Sequence, residues 1–288
     1  MNRMKRTVMM ALTVAAVLAL LATLTGCGAA KTQTPAASTT GAETTSTATA
    51  ADPSLEAIQS KGELIVGTAP FYAPFESTNP KTKAIEGFDV DMVNAIAAKM
   101  GVKATFKPAE WQALLGGLDK GDYDVIVSAM SKKEAAGNNV EFSDVYYELP
   151  DVIIVKKGNP KGITGKADLS GKIIGVQLGS GSEQLADALK TEVGFKSLKK
   201  YKLTQDAMND LKVGRIDAVI AGQAFAVEQS KVDPSFDLIG TPLTTAEIVG
   251  VFPKGNTTAV EAFNKALADI KADGTYDALI AKWLTVKQ

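Results

Sequence analysis

The sequence predicts an α/β fold in two lobes, and three observations predict it. Short apolar strands alternate with amphipathic helices from residue 64 to the end of the chain, the pattern of mostly parallel sheets. The pattern Leu-x-x-Gly-x-x-Asp, which ends one helix and starts the next strand, occurs at Leu118, Gly121 and Asp124 and again at Leu211, Gly214 and Asp217. The chain has 288 residues, 45% hydrophobic and 22% charged, enough for two such units.

The N-terminus reads as a leader. Arg3, Lys5 and Arg6 precede an apolar run over 8–24, which is followed by Leu24-Thr25-Gly26-Cys27. The run is at the lower limit for a membrane span, and its ending resembles the bacterial lipobox, which implies cleavage before Cys27 and attachment of lipid to its sulfur. The expected division is a signal peptide over 1–26, then lipidated Cys27 and a linker to 53. This segment is rich in Ala, Thr and Ser and cannot bury enough surface to order itself, so a flexible tether is expected.

The folded part begins with a strand at 64–68. Pro70, Pro74 and Pro80 then force a loop that carries Phe71, Tyr72 and Phe75, aromatics that either go to the core or line a pocket and pack its rim. A helix over 89–100 follows, with Val93, Ile96, Ala97 and Met100 on one face. Asp89 is the expected cap, Asp91 complements the helix dipole, and Gly101 is the left-handed stop. A strand at 103–107, a helix at 111–120 and a strand at 124–128 come next, and 129–139 reads as a polar loop. Strands at 152–156, 173–176, 198–201 and 217–220 alternate with helices at 183–190 and 205–213. A strand at 248–252 and helices at 258–271 and 276–284 close the chain. Ligands are expected at the carboxyl ends of the parallel strands.

Composition excludes several chemistries. Histidine is absent and Cys27 is the only cysteine. An intrachain disulfide, a Cys/His zinc site and a nucleophile activated by histidine are therefore ruled out. The formal net charge is −1, and more negative without the leader, so there is no footprint for nucleic acid.

Five ordered motifs carry a family resemblance: Tyr72-Ala-Pro-Phe-Glu76, Gly87-Phe-Asp-Val-Asp-Met92, Phe142-Ser-Asp144, Gly214-Arg-Ile-Asp-Ala218 and Asp273-Gly-Thr-Tyr276. Together they resemble the extracellular solute-binding proteins that serve polar amino-acid ABC importers. The resemblance implies a type II-like periplasmic binding protein fold. Two doubly wound β/α lobes would be joined by crossing strands near 152–156 and 248–252. Lobe one would comprise 54–150 and 249–288, and lobe two 151–248. It also implies closure over a small-molecule ligand, no cofactor or metal, and a monomer on the outer face of the bacterial membrane. An ABC permease and its ATPase would be the partners.

Carried over by position, Tyr72 and Trp111 would stack on the ligand, and Ser128, Ala129 and Ser131 would meet it with hydroxyls and backbone N–H groups. Gly179-Ser180-Gly181-Ser182 opens a helix and could accept a carboxylate. Trp111 could equally be a core residue, and Ser180 a simple cap. Two positions depart from the family. Counting from Ser128, the arginine that would hold the ligand's carboxylate falls at Ala136. Counting from Asp217, the acid that would hold its ammonium falls at Gly222. Lys132 or Lys133 could stand in for the arginine, or form a solvated face. The expected ligand is therefore amino-acid-like with a non-standard head-group clamp. The alternatives are a sensory binding protein, and a cyclohexadienyl dehydratase-like enzyme using Glu76 or Glu134 as a general acid.

Overall fold

The computed structural model describes residues 52–285. The leader, Cys27 and the tether up to residue 51 lie outside the described residues, as do 286–288. The first lobe opens with α1 (Ser54–Lys61), β1 (Glu63–Thr68), and the short strands β2 (Phe71–Tyr72), β3 (Glu76–Thr78) and β4 (Ile85–Glu86). It continues through α2 (Phe88–Lys99), β5 (Lys103–Pro108), a 3-10 turn at Trp111–Ala113, α3 (Leu114–Asp119), β6 (Val125–Ile126), α4 (Lys132–Ala135) and β7 (Val140–Phe142). The chain then enters the second lobe through β8 (Tyr147–Lys156). There follow β9 (Ile173–Gln177), α5 (Gly181–Val193), β10 (Ser197–Tyr201), α6 (Thr204–Lys212), β11 (Ala218–Gly222), α7 (Gln223–Val232) and β12 (Phe236–Ile248). It returns as β13 (Val251–Pro253), α8 (Thr257–Ala272) and α9 (Thr275–Trp283).

Two five-stranded sheets result, in the orders β5-β1-β6-β13-β7 and β10-β9-β11-β8-β12. In the first, β1 runs parallel to β5 and β6; in the second, β9 runs parallel to β10 and β11. Each sheet has a buried cluster on both faces, as parallel strands without a solvated side require. The repeated Leu-x-x-Gly-x-x-Asp pattern has the same job in both. Gly121 and Gly214 take φ of 75° and 78°. Asp124 Oδ2 accepts from Ile65 N at 2.7 Å, and Asp217 Oδ2 accepts from Ile173 N at 2.8 Å. Each aspartate ties the start of its own strand to the start of the neighbouring one.

The connection between the lobes is an antiparallel ribbon in which residues Tyr147 to Asp151 pair with Ile248 back to Thr244. The first crossing thus comes slightly before the expected 152–156, because Val152–Val155 is the part of β8 that pairs with β11 and β12 in the second sheet. There are three further differences. The proline-broken loop is pinned as a small three-stranded sheet. The polar loop at 129–139 contains a one-turn helix, α4, because Ser131 and Glu134 form a reciprocal capping box. The stretch after β11, which carries no clear period, holds α7 and the long, half-exposed β12.

Helix α2 also begins differently from expectation. Asp89 does not cap it; Gly87 occupies the cap position with no side-chain bond, and Asp89 is fully buried. The loop backbone crosses here, with Phe88 N and Asp89 N donating to Pro74 O and Phe75 O. Gly87 has φ of 144°, and a Cβ there would lie 2.1 Å from Phe75 O. Gly87→Ala should therefore cost roughly 3 kcal/mol or more, measured by urea unfolding. A loss within about 0.5 kcal/mol would show that the crossing relaxes freely.

Candidate functional site

The main cavity lies between the two sheets at the carboxyl ends of their parallel strands. From the first lobe come Ala69 after β1, Trp111 after β5, Ser128 after β6, and the aromatic loop with Phe71, Tyr72 and Glu76. From the second come Gln177 at the end of β9, Thr204 after β10, Gly222 at the end of β11, and Ser180, Gly181 and Ser182 at the start of α5. Asp151 and Leu149 come from the connecting ribbon.

Side chains bridge the mouth. Tyr72 stacks on Phe225 of α7 with ring centroids 4.7 Å apart and planes within 6°, and its hydroxyl accepts from Gly222 N at 3.0 Å. Trp111 Nε1 donates to Gly179 O at 3.1 Å, and Gln112 Nε2 to Leu178 O at 3.1 Å. Gly222 and Tyr72 depend on one another, since a Cβ at 222 would lie 2.8 Å from the Tyr72 hydroxyl and 2.7 Å from Leu149.

Behind the first-lobe wall, Asp89 Oδ2 accepts from Ala129 N at 2.7 Å and from the Tyr146 hydroxyl at 2.8 Å. It holds Ala129 in the left-handed region, with φ of 48°. Ser128 Oγ donates to Glu76 Oε1 at 3.1 Å and accepts from Ala69 N at 2.9 Å. No N–H or O–H from another described residue reaches Glu76 Oε2 or Asp89 Oδ1. The two buried carboxyl groups neighbour each other, and burial together with like charge disfavours ionising both. Burial, then the neighbouring Asp89 charge, pushes Glu76 well above the usual range. Burial likewise pushes Asp89 up to about 6, against the opposing bond from Ala129 N.

Of the residues singled out in the sequence, Tyr72, Trp111, Ser128, Ala129, Ser131, Ser180, Gly181, Ser182 and Gly222 all line the cavity. Ala136 does not. It is the exposed residue that ends α4, and the side chain this turn sends into the cleft is Glu134. The capping box is the reason: it winds 131–135 into a helical turn, which leaves Ala136 at its exposed end. Glu134 Oε2 accepts from Ser131 N at 2.5 Å, and Oε1 crosses the cleft to accept from Gly181 N at 2.5 Å. Lys132 pairs with Glu247 at 3.1 Å outside the cavity, and Lys133 lines an adjoining groove.

Sequence reasoning missed Asp151, Gln177 and Thr204. Asp151 is directly opposite Gly222 in the β8–β11 register, so an acid faces the cleft one strand away from the expected position. Its signal was an isolated acid in an apolar strand, Pro150-Asp-Val-Ile-Ile154.

The model of the bacterial extracellular solute-binding proteins, family 3, matches residues 64–286. The chain belongs to this family. One family relative is the L-cystine-binding protein TcyJ of Escherichia coli (strain K12), 31% identical over 230 residues, which cover 80% of this chain and 85% of the relative. An ancestral arginine-binding protein bound to arginine superposes with a TM-score of 0.72 at 37% identity, over 78% of this chain and 99% of that one. The ancestral amino acid-binding protein AncCDT-1, a precursor of cyclohexadienyl dehydratase, gives a TM-score of 0.73 at 30% identity, over 80% of this chain and 99% of that one. The chain shares with them the two-lobed α/β fold and a substrate-binding role.

Two outcomes are expected from this geometry. Glu76 and Asp89 bind protons in the folded state that they release in the unfolded chain. The Asp89 contribution to stability is thus full below about pH 4 and is lost as pH rises through about 6; that of Glu76 is likewise full at acid pH and is lost as pH rises through its own raised value. The melting temperature should fall as pH rises from about 4 through 6, and Glu76→Gln should flatten that fall; an unchanged slope would sink this account of the buried pair. Tyr72→Phe keeps the stacking but loses the hydroxyl that accepts from Gly222. It should weaken ligand binding about 2- to 12-fold by calorimetry, with little change in melting temperature.

Proposed function

We propose that this chain is the capture component of an ABC importer. It takes a small polar organic solute between its lobes and delivers it to a membrane permease driven by an ATPase. The observation that carries the reading is the cavity between the carboxyl ends of two β/α sheets, spanned by Tyr72 and Trp111 from one lobe and the start of α5 from the other. Each lobe supplies half of the contacts, so ligand favours the closed arrangement by its extra affinity for it. Relatives named for binding cystine and arginine support a solute of amino-acid size and polarity. The ligand contacts proposed are Tyr72, Trp111, Ser128, Ala129, Ser131, Ser180, Gly181 and Ser182.

The protein works as a monomer on the outer face of the cell membrane, held by lipid on Cys27 and a tether. The family's extracellular description supports this placement. Among the described residues, no helix is long and apolar enough to cross a membrane. Cys27→Ser should move the protein from the membrane fraction to the medium and abolish its labelling by a radioactive fatty acid. Retention at the membrane would overturn the anchor.

The likeness to a dehydratase precursor supports a second reading, in which a buried carboxyl of the cleft serves as a general acid. The charge of the wall speaks against it. A prephenate-like dianion would face Glu134 and Asp151 with no lysine or arginine among the lining residues. Incubation with prephenate should leave it intact, and its consumption would restore the enzyme reading. The capture reading itself is tested by small-angle scattering of the purified protein. A bound solute should contract the radius of gyration, whereas binding without contraction would oppose lobe closure.

A further inference from the structure

The wall of the cleft carries charge of one sign. Its ionisable carboxyl groups are Glu76, Glu134 and Asp151, and no lysine or arginine lines it. Burial and the neighbouring Asp89 hold Glu76 well above the usual carboxylate range, which favours its uncharged form. The other two define what the cleft can hold.

Glu134 fills the seat that a ligand's carboxylate would need. Its two oxygens accept from Ser131 N and Gly181 N, backbone donors at the starts of α4 and α5, and the second bond crosses the cleft. A carboxylate brought to the start of α5 meets this anion on Gly181 N, the donor nearest the first lobe. Asp151 is in the opposite situation. It is 5% exposed and accepts one bond, from Ser182 Oγ at 2.6 Å, while its second oxygen receives no donor among the described residues. Lys133 is the cation acting on it, and that lysine is exposed and lines the adjoining groove. Asp151 is therefore a buried carboxylate with an unfilled bonding position, and it lines both the cleft and the adjoining groove. Burial holds it above the usual range, and Glu134 likewise. The rings of Tyr72 and Trp111 complete the wall, and ring faces attract cations.

We infer that the cleft takes an organic cation, an amine or guanidine bearing no free carboxylate, whose charged group sits between Asp151 and Glu134 beside the Trp111 and Tyr72 rings. Each carboxylate oxygen that accepts one N–H keeps a lone pair for the ligand, so Glu134 can hold both α5 and the cation. The inference rests on the capture reading and narrows it to a ligand class. Deleting the amino acid's carboxylate removes the one group the cleft has no counter-charge for.

The test compares pairs that differ only in that group, namely agmatine with arginine, cadaverine with lysine, and tyramine with tyrosine. Calorimetry on the full chain gives affinity, and small-angle scattering on the same samples gives closure. At least one amine should bind about 100-fold or more tightly than its amino acid. Glu134→Gln and Asp151→Asn should each weaken that amine about 10-fold or more, with the circular dichroism spectrum unchanged. Either variant alone suffices if the other fails to fold. An amino acid that binds as tightly as its amine, with contraction, would overturn the cation assignment and leave solute capture standing. Amine binding that ignores both substitutions would also overturn it. Absence of binding and contraction with all six probes would overturn the cation assignment and count against capture as well.

Discussion

Asp89 stands where four pieces of the first lobe meet. It stands in the first turn of α2, accepts from Ala129 in the loop after β6, accepts from Tyr146 just before the connecting ribbon, and neighbours the buried carboxyl of Glu76 from the aromatic loop. A carboxylate with no exposed surface is unfavourable unless such donors surround it. Remove it and each partner loses its reference point: the strained Ala129 backbone, the Tyr146 ring, and through Ser128 the wall of the cleft. The close crossing at Gly87 belongs to the same constraint, because it lets the start of α2 lie under the loop that presents Tyr72.

From that fixed wall the cleft inherits its charge. Backbone donors dominate the floor on both sides, Ser131 N from one lobe and Gly181 N from the other, and a single side chain, Glu134, joins them. A cleft built this way has its two lobes joined through an internal acid. The position at 222 follows the same logic from the opposite side. Glycine there makes room for the Tyr72 hydroxyl, and the acid stands on the adjacent strand as Asp151.

Much of the scaffold was legible because strand and helix periods, glycine stops and the two Leu-x-x-Gly-x-x-Asp copies are local signals. The half-exposed β12 and the helix before it were not, since their place is set by pairing with β8 across many residues of chain. Within the site, the proline-broken aromatic loop and the Gly-Ser-Gly-Ser turn announced themselves by composition. Ala136 lies outside the cavity because the turn that Ser131 and Glu134 close brings Glu134, and not the residue that ends it, to the cleft. Asp151 escaped notice for a different reason. Which face of a strand an acid occupies depends on its neighbours in the sheet, and Gly222 became its partner only through the fold.

The chain contains two tryptophans, and they report on different places. Trp283 Nε1 donates to Asp91 Oδ2 at 2.7 Å, within the packing of α9 on α2. The Trp111 indole reaches from one lobe to the Gly179 carbonyl of the other, so it keeps that partner only while the lobes are together. Trp283 in turn borders a groove with Gln223, Ala224 and Val227 of α7, so both indoles stand where the two lobes face one another. The proposed lobe closure thus has an optical gauge in the molecule's own two indoles and needs no attached dye.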